Sequence, residues 1–314
     1  MLNSTMLDST SICIGIVTKN RCQYLIDCIE SIFLQQKLPT EVIVFNDGST
    51  DQTEVVLKSK EKQFLKTNIK YTYLSSDKSK AQPYGRNQIL TSSTSDIIAY
   101  VDDDVICTRS WLKNIGESYI SESVGGVGGP AIRVDHDMKP IWRELNTPRN
   151  INIVNKYGEL RDHSDNWVPP HSLETHVLRG ANMSFRREVL IKVGGFDEKY
   201  FGRACMEDVD PQIKIRNIGY KLMYNPKVHV FHRTVQTGGA NLENKKDDWY
   251  STGYTNAYFV KKHFRNNYLK TLLRLPFRIR YSPIPFIRII LECIQQRSEE
   301  PLWILKGYFD GFRN

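Results

Sequence analysis

The segment IIAYVDDDVI (residues 97–106) passes from five consecutive apolar or aromatic residues directly into three carboxylates. Three like charges this close together repel one another, and burying them without partners is costly. We therefore expect Asp102, Asp103 and Asp104 either to face water or to surround a positive charge. The run before them has the length and β-rich composition of a buried strand, so this strand leads straight to the acids.

Three earlier apolar runs have the same character: ICIGIV (12–17), EVIVFN (41–46) and IKYTYL (69–74). Segments with helical spacing of apolar residues, or with helix-capping residues, separate them. Short apolar runs that alternate with helices predict parallel strands in a doubly wound α/β sheet. Ligands of such sheets bind beyond the carboxyl ends of the strands, so we expect the acids at 102–104 to lie at the mouth of a cleft.

The composition, with 40% hydrophobic and 25% charged residues among 314, is that of a globular protein with one large α/β domain and an appendage, or with two modest domains. The six cysteines form no CxxC pair, which argues against a zinc ribbon or redox pair and favours reduced thiols. No apolar stretch reaches the roughly 18 to 20 residues that span a bilayer, and a signal-peptide pattern is not recognised. We therefore expect a cytoplasmic protein.

The net charge of +8 is concentrated in the last fifth of the chain. Residues 258–314 contain eleven Lys and Arg against four Asp and Glu, so the rest is close to neutral and a nucleic-acid-binding core is not expected. Within this region, residues 269–294 interleave Arg with Leu, Ile and Phe. Such a segment predicts peripheral binding to the inner face of a membrane, or a helical extension packed on the domain with a solvated basic face. The sequence leaves both open.

Familiar phosphate-binding loops are missing from the sequence, since neither GxGxxG nor GxxxxGK[ST] follows the first strand. A phosphorylated ligand would then need another source of positive charge. Mg²⁺ and Mn²⁺ bind one or two carboxylates together with ligand phosphates, which suits the short acidic motif at 102–104. The sequence therefore favours a divalent cation at this motif.

The pattern is looser beyond the acidic motif. Residues 135–178 are polar and irregular, as expected of a functional loop. Residues 178–233 predict a short strand, helices at about 187–193 and 207–217, and a strand over 221–233.

Taken together, motifs spread over about 220 residues resemble the family 2 glycosyltransferases, nucleotide-sugar enzymes of the GT-A fold. The resemblance implies a Rossmann-like, mostly parallel central sheet flanked by helices, with a helical C-terminal extension. It implies a catalytic domain over 1–235, with nucleotide and acceptor halves at about 12–104 and 105–235, and a lid loop and basic extension over 236–314. The motifs are IGIVTKNR (14–21), VIVFNDGSTD (42–51), GRN (85–87), AYVDDDV (99–105), GANMSFRREVLIKVGGFDE (180–198), MEDVDPQIKIRNIGYKL (206–222) and VHVFHR (228–233).

The acidic triplet resembles the DxD motif of this family. The resemblance implies that Asp102 and Asp103 contact the nucleotide or sugar, and that Asp104 holds Mn²⁺ or Mg²⁺ at the diphosphate. It also makes His232 the third metal ligand in preference to His229, three residues earlier. From position alone, an acid cluster that ends a strand is a solvated turn or a helix cap, and a strand histidine is a packed residue.

The resemblance implies further nucleotide contacts. Asp47 would accept a hydrogen bond from a pyrimidine N–H, and Arg86 would bind the diphosphate. The first loop would contribute Thr18, Asn20 and Arg21. UDP-sugars are the favoured donors. The alternatives are that Asp47 merely begins a turn and that Arg86 is an exposed helix residue.

Glu207 and Asp208 match the ED motif of the family. An acceptor hydroxyl that attacks the anomeric carbon needs a base on the face opposite the leaving group, so the resemblance implies that Asp208 is this base and that Glu207 orients the acceptor. Helix capping by these acids is the alternative. Asn182 matches a position near the donor sugar or acceptor, with a turn-stabilising amide as the alternative. Aromatic residues in unmatched segments are expected to shape the acceptor pocket: Trp142, Trp167 and Trp249.

These features predict an inverting, metal-dependent glycosyltransferase. It would move a sugar from a nucleoside-diphosphate sugar to a hydroxyl of a saccharide or lipid-linked acceptor in polysaccharide or glycolipid biosynthesis. A sugar nucleotidylyltransferase shares an α/β core and acidic metal sites, but TKNR (18–21) lacks the glycines of its first loop. A non-catalytic membrane-surface scaffold would bind anionic vesicles without nucleotide affinity. Nucleic acid is not an expected partner.

Overall fold

The computed structural model describes residues 10–141, 152–156, 158, 160–161, 168–233, 235, 237–242, 244–265 and 302–313. Strands and helices are numbered along these residues. The strands are β1 Ile12–Thr18, β2 Glu41–Asp47, β3 Lys70–Ser76, β4 Ile97–Asp102, β5 Val105–Cys107, β6 Val124–Gly128, β7 Ala131–Arg133, β8 Ile153–Val154, β9 Leu160–Arg161, β10 Leu173–Thr175, β11 Asn182–Arg186, β12 Lys221–Tyr224 and β13 Val230–His232. The helices are α1 Cys22–Phe33, α2 Thr53–Phe64, α3 Gln82–Ser92, α4 Trp111–Ser118, α5 Arg187–Lys192, α6 Val209–Asn217, α7 Lys245–His263 and α8 Trp303–Arg313.

A central sheet has the strand order β10-β12-β6-β11-β4-β1-β2-β3. The first four predicted strands are confirmed, and they pair in parallel as β4-β1-β2-β3. The sheet becomes mixed beyond β4, because β11 runs antiparallel to both β4 and β6. The register aligns Thr18 with Asn46 and Val17 with Asp102, so the polar residues at the carboxyl ends of β1, β2 and β4 meet at one edge.

Alternate residues of the parallel strands build two apolar layers, one on each face of the sheet. On one face, Ile14 and Ile16 pack with Leu25 and Ile29 of α1. The other face buries a second cluster that includes Phe45 of β2 and residues of α3. Every residue of β1 and of β2 is buried, which explains why their sequences are continuous apolar runs rather than alternating ones.

The single strand predicted over 221–233 is wrong, because the chain turns in its middle. Pro226 has no N–H to give to a ladder, and the Asn225 side chain accepts a hydrogen bond from the Lys227 N–H at 2.9 Å. The result is two strands in different sheets: β12 pairs with β6 and β10, whereas β13 lies between β5 and β7 in a three-stranded sheet. This second sheet pairs His232 with Val105, just beyond the acidic triplet.

Helices α7 and α8 pack against each other through glycines. A Cβ atom at Gly253 would collide with the Ile304 carbonyl oxygen, and one at Gly307 would collide with the Tyr250 carbonyl oxygen. The absence of side chains therefore allows the two backbones to approach closely. Among the described residues, no helix has the length and hydrophobicity of a membrane span. The basic segment 269–294 lies outside the described residues.

Candidate active site

The three acids that follow β4 have different surroundings. The Asp102 side chain is 27% exposed, whereas those of Asp103 and Asp104 are 3% and 2% exposed. A positive charge lies between the two buried carboxylates, because Arg21 Nη1 is 2.9 Å from Asp103 Oδ1 and 3.1 Å from Asp104 Oδ2. The triplet is therefore not a solvated turn. It surrounds a cation that the chain itself supplies.

One guanidinium does not give the two buried acids the same protonation behaviour. Burial raises the pKa of Asp103 to about 7, although Arg21 and the Thr18 hydroxyl, which donates at 2.7 Å, both oppose this shift. Burial also favours the neutral form of Asp104, but His232 and Arg21 outweigh it and lower the pKa of Asp104 to about 2. In return, Asp104 raises the pKa of His232 against the opposing effect of burial. Asp104 is thus the charged partner.

Asp102, Asp104 and His232 each offer a ligand atom, and these atoms all lie within 4.8 Å of one another. Among the described residues none donates a hydrogen bond to the buried Asp104 Oδ1, and His232 Nε2 lies 3.2 Å from it. Two carboxylates and one imidazole, with a buried oxygen left unsatisfied, fit a divalent cation. His229 lies elsewhere, before β13, with its Nδ1 at 3.2 Å from the Pro226 carbonyl oxygen.

Arg21 also connects the acids to a second loop. Its Nε donates to the Thr237 carbonyl at 2.9 Å, and its Nη2 donates to the Val235 carbonyl at 2.9 Å. Asn20 likewise serves a neighbouring loop, since its side chain accepts from the Thr50 N–H at 2.7 Å. All three nitrogens of the Arg21 guanidinium are engaged, by the two buried acids and by the carbonyls of Val235 and Thr237.

A cleft of about 400 Å³ opens beside the carboxyl ends of β1 and β2. Asp47 lies in its wall and accepts hydrogen bonds from the Ser79 hydroxyl at 2.7 Å and the Lys80 N–H at 2.6 Å. Asp47 therefore positions the loop that forms the adjoining wall. Residues at the ends of β1 and β2 and in later parts of the chain line the cleft. They are Val17, Thr18, Lys19, Asp47, Ser79, Lys80, Ala81, Gln82, Phe201, Gly202, Gly239, Ala240 and Leu242.

Arg86 is buried on α3, so its interpretation as an exposed helix residue is wrong. Its guanidinium forms an ion pair with Glu207, lies 3.8 Å from Asp102 Oδ1, and sits over the Phe196 ring at 5.5 Å. Burial raises the pKa of Glu207 to about 7 despite the opposing charge of Arg86. Glu207 Oε2 is buried and has no hydrogen-bond partner in the part of the chain that the structure describes. Arg86 thus links the acidic triplet to the ED motif.

Asp208 immediately precedes α6, but its side chain does not cap the helix. Instead, its Oδ2 accepts from the Gly180 N–H at 3.0 Å, while its backbone carbonyl accepts from the Gln212 side chain at 2.8 Å. Asp210 has a structural role: it is fully buried and pairs with cations that include Lys262 of α7 at 2.7 Å. Helix capping alone therefore does not explain these acids.

The structure does not bring every candidate to the cleft. Asn182 is fully buried, accepts from the Trp111 indole N–H at 2.9 Å and donates to the Val228 and Pro130 carbonyls. Its amide joins strands behind the site instead of facing a sugar. Trp249 packs beside the cluster that contains Ile304 of α8 and is not among the residues that line the cleft. Trp142 and Trp167 lie outside the described residues.

Sequence reasoning missed the residues that complete the walls. The loop 79–81 and the segment 235–242 contribute largely through backbone atoms, for which a side-chain motif carries no signal. Phe201 and Leu242 also line the cleft. Only the spacing of Tyr250, Tyr254 and Tyr258 at every fourth position, as on one helical face, could have directed attention to the helix beside Phe201.

A family model described as Glycosyl transferase family 2 matches residues 13–194. Curated relatives include a glucosyl-dolichyl phosphate glucuronosyltransferase from Haloferax volcanii, 22% identical over 71% of this chain and 68% of the relative. A pre-mycofactocin glycosyltransferase from Mycobacterium tuberculosis is 26% identical over 61% of this chain, a match that spans only 37% of that relative.

Solved structures with a similar fold include a mannosyltransferase from Pyrobaculum calidifontis in complex with GDP-Man and Mn²⁺. It has a TM-score of 0.54 and 16% identity, over 96% of this chain and 73% of that one. TarS from S. aureus in complex with UDP-GlcNAc has a TM-score of 0.57 and 14% identity, over 97% of this chain and 90% of that one. At these identities the similarity is one of fold, and it confirms the expected GT-A architecture.

Proposed function

We propose, from the premise that this chain belongs to glycosyl transferase family 2, that it is an inverting glycosyltransferase that uses a divalent cation and a nucleoside-diphosphate sugar. One observation carries the proposal. Asp102 belongs both to the trio that fits a cation and, through Arg86, to the ion-pair network of Glu207. A cation-assisted leaving group and a pair of acids for the acceptor therefore adjoin each other in one site.

The donor is proposed to bind in the cleft with its nucleobase near Asp47 and its diphosphate near Asp102. Asp47, Lys19 and Thr18 line this cleft, in support of the assignment. Asp102, Asp104 and His232 would hold Mn²⁺ or Mg²⁺, which as a Lewis acid neutralises charge on the departing diphosphate. We favour a UDP-sugar, since Asp47 can accept from a pyrimidine N–H. The S. aureus neighbour carries UDP-GlcNAc and the Pyrobaculum neighbour GDP-Man.

Asp208 is proposed as the base that takes the proton from the acceptor hydroxyl as that oxygen attacks the anomeric carbon. The Gly180 N–H bond to Oδ2, at 3.0 Å, orients its carboxylate. Glu207 and Arg86 are proposed to hold this end of the site in place through their buried ion pair. One carboxylate is sufficient for direct displacement with inversion, because no covalent intermediate has to be formed and broken.

The acceptor is proposed to be a hydroxyl of a saccharide or a lipid-linked saccharide, in polysaccharide or glycolipid synthesis. The Haloferax relative is named for a glucosyl-dolichyl phosphate, and this name supports a lipid-linked acceptor. We further propose that residues 12–104 form the nucleotide half, that 105–235 form the acceptor half, and that the protein works on the cytoplasmic side, at a membrane surface.

Thermal-shift measurements with UDP, GDP, TDP and CMP, each with and without Mn²⁺, test the proposal. A ligand that binds the native state raises the melting temperature by mass action. We expect one diphosphate to stabilise the protein strongly and only with the metal. Metal-independent stabilisation, or none by any of the four nucleotides, contradicts the donor site. Detection of pyrophosphate from a nucleoside triphosphate and a sugar phosphate would favour a nucleotidylyltransferase instead.

A further inference from the structure

Three aromatic side chains form a contiguous group beside the cleft. Phe201 lines the cleft and is 39% exposed. Its ring centroid lies 5.0 Å from that of Tyr254 and 6.4 Å from that of Tyr250, and the two tyrosine rings are 6.3 Å apart. Both tyrosines are half-buried on α7. We call Phe201, Tyr250 and Tyr254 the aromatic rim.

The surrounding structure holds the aromatic rim in place. Gly202 has a φ of +62°, a conformation that favours glycine. A Cβ atom there would lie 2.6 Å from Ser251 Cβ, so the chain after Phe201 packs directly against α7. The Tyr250 hydroxyl donates to Asp310 of α8 at 3.1 Å. Helix α8 is in turn fixed to α7 by the close approach of the glycines. The rings are therefore presented by a rigid support.

The aromatic rim is also connected to the ED motif. The Ala204 N–H donates to the Phe201 carbonyl at 3.0 Å, and the Glu207 N–H donates to the Ala204 carbonyl at 3.2 Å. Two consecutive turns thus join the ring that lines the cleft to the proposed acceptor-side acids. Asp47 and Phe201 line the same cleft, but the turns join Phe201 to Glu207, so a ligand on the rim would lie near the acids proposed for the acceptor.

We propose that the aromatic rim is a subsite for a sugar ring of the acceptor, an assignment that rests on the proposed function. A pyranose has an apolar face of C–H groups that packs on aromatic rings, and hydroxyls around its edge that need polar partners. The rim offers both, because its rings adjoin the Tyr250–Asp310 hydrogen bond and the Arg203–Asp248 ion pair, 3.1 Å long. A purely aliphatic lipid chain would make no use of these polar groups.

Saccharide binding to the full chain, in the presence of UDP and Mn²⁺, tests the subsite. The probes are chitotetraose, cellotetraose and maltotetraose. Their binding is measured by saturation-transfer NMR and titration calorimetry. At least one probe should bind the wild-type protein and bind Phe201→Leu and Tyr254→Ala at least tenfold more weakly. Phe309→Ala removes a 64% exposed aromatic residue of α8 outside the rim, and it should bind within twofold of wild type.

Failure of every probe to bind the wild-type protein, or equal binding by the rim variants, overturns the subsite. Phe201→Leu keeps apolar bulk while removing the ring, so a folded variant with lost binding separates recognition from stability. UDP and Mn²⁺ should raise the melting temperature of all variants as they do for wild type. Loss of that shift in the wild type itself would contradict the proposed function, whereas loss of saccharide binding alone would contradict only the subsite.

Discussion

Arg21 and Arg86 each lie among acidic residues at the same end of the sheet, but their surroundings differ. Arg21 contacts Asp103 and Asp104. Asp103 also accepts from the Thr18 hydroxyl, and Asp104 also contacts His232 and accepts from the Val235 N–H at 3.0 Å. The acids around Arg21 therefore have several alternative partners.

Arg86 is the only described cation paired with Glu207, whose second oxygen has no hydrogen-bond partner among the described residues. The two arginines show that similar local charge patterns can differ in how many partners each buried acid has. Where partners are redundant, a cation can be exchanged for another; where one arginine holds a buried acid alone, the pair is a fixed part of the structure.

The largest expected effect is on catalysis and concerns the acids near Arg86. Asp208→Asn should lower kcat by about 10²- to 10⁴-fold, because the amide cannot take the acceptor proton. Nucleotide binding, measured by thermal shift, should stay unchanged. Glu54→Gln, a carboxylate-to-amide change on the exposed face of α2, serves as the control and should keep wild-type activity. A fully active Asp208→Asn would assign the base elsewhere.

The next effect separates the two arginines by stability. Arg86→Leu should lower the free energy of unfolding by about 3–5 kcal/mol, since it leaves Glu207 buried without a counter-charge. Arg21→Leu should cost less, about 1–3 kcal/mol, because His232 and the Val235 N–H still contact Asp104 and the Thr18 hydroxyl still donates to Asp103. Urea denaturation of both variants checks the order, and an equal or larger loss for Arg21→Leu would break the comparison.

Exchange of the cation at the triplet gives a smaller but more specific effect. Arg21→Ala removes a positive charge that competes with a metal ion for Asp104, so the variant should bind Mn²⁺ about tenfold more tightly, or about 1.4 kcal/mol. Calorimetric titration with Mn²⁺ alone measures this change. Arg203→Ala removes an arginine paired with Asp248 and should leave the Mn²⁺ affinity unchanged. Weaker binding by Arg21→Ala would show that the guanidinium supports the metal site instead of competing with the metal.

The smallest expected effect is on the pH dependence of stability. The pKa of Glu207 is raised to about 7, so the folded state holds a proton that the unfolded state releases near its ordinary pKa. The free energy of unfolding should therefore fall as the pH rises from about 4.5 to 7. Glu207→Gln should lack that contribution, so its unfolding curve should vary less over this range.

Asp104 should change the free energy of unfolding with pH in the opposite direction. Its pKa is lowered to about 2, so its contribution to stability is present above the ordinary aspartate pKa and is lost as the pH falls toward 2. Asp104→Asn should thus flatten the acid side of the profile, whereas Glu207→Gln flattens the region from 4.5 to 7. Denaturant midpoints measured from pH 3 to 8 distinguish the two, and identical profiles for both variants would contradict the assigned directions.

Much of the fold of residues 12–104 could be predicted from the sequence because its signals are local. Continuous apolar runs defined β1 to β4, and the acids are covalently attached to the end of β4. The strand predicted over 221–233 was wrong because a short turn around Pro226, rather than the average β propensity, decides where the chain goes. Asn182 lies in a recognisable motif, but the sequence does not show what surrounds its side chain. Only the packed structure shows that its amide bonds to the Trp111 indole and to two backbone carbonyls.

The sequence by itself determined the α/β class, the parallel strands and the edge of the sheet at which the acids collect. Only the tertiary structure decided which cations lie among them, since Arg21 and His232 come from distant parts of the chain. It also decided that Arg86 is buried and that Phe201 meets Tyr254 beside the cleft. Apolar periodicity and adjacency act over a few residues, whereas charge pairing and ring contacts depend on strand order, register and turns that bring remote residues together.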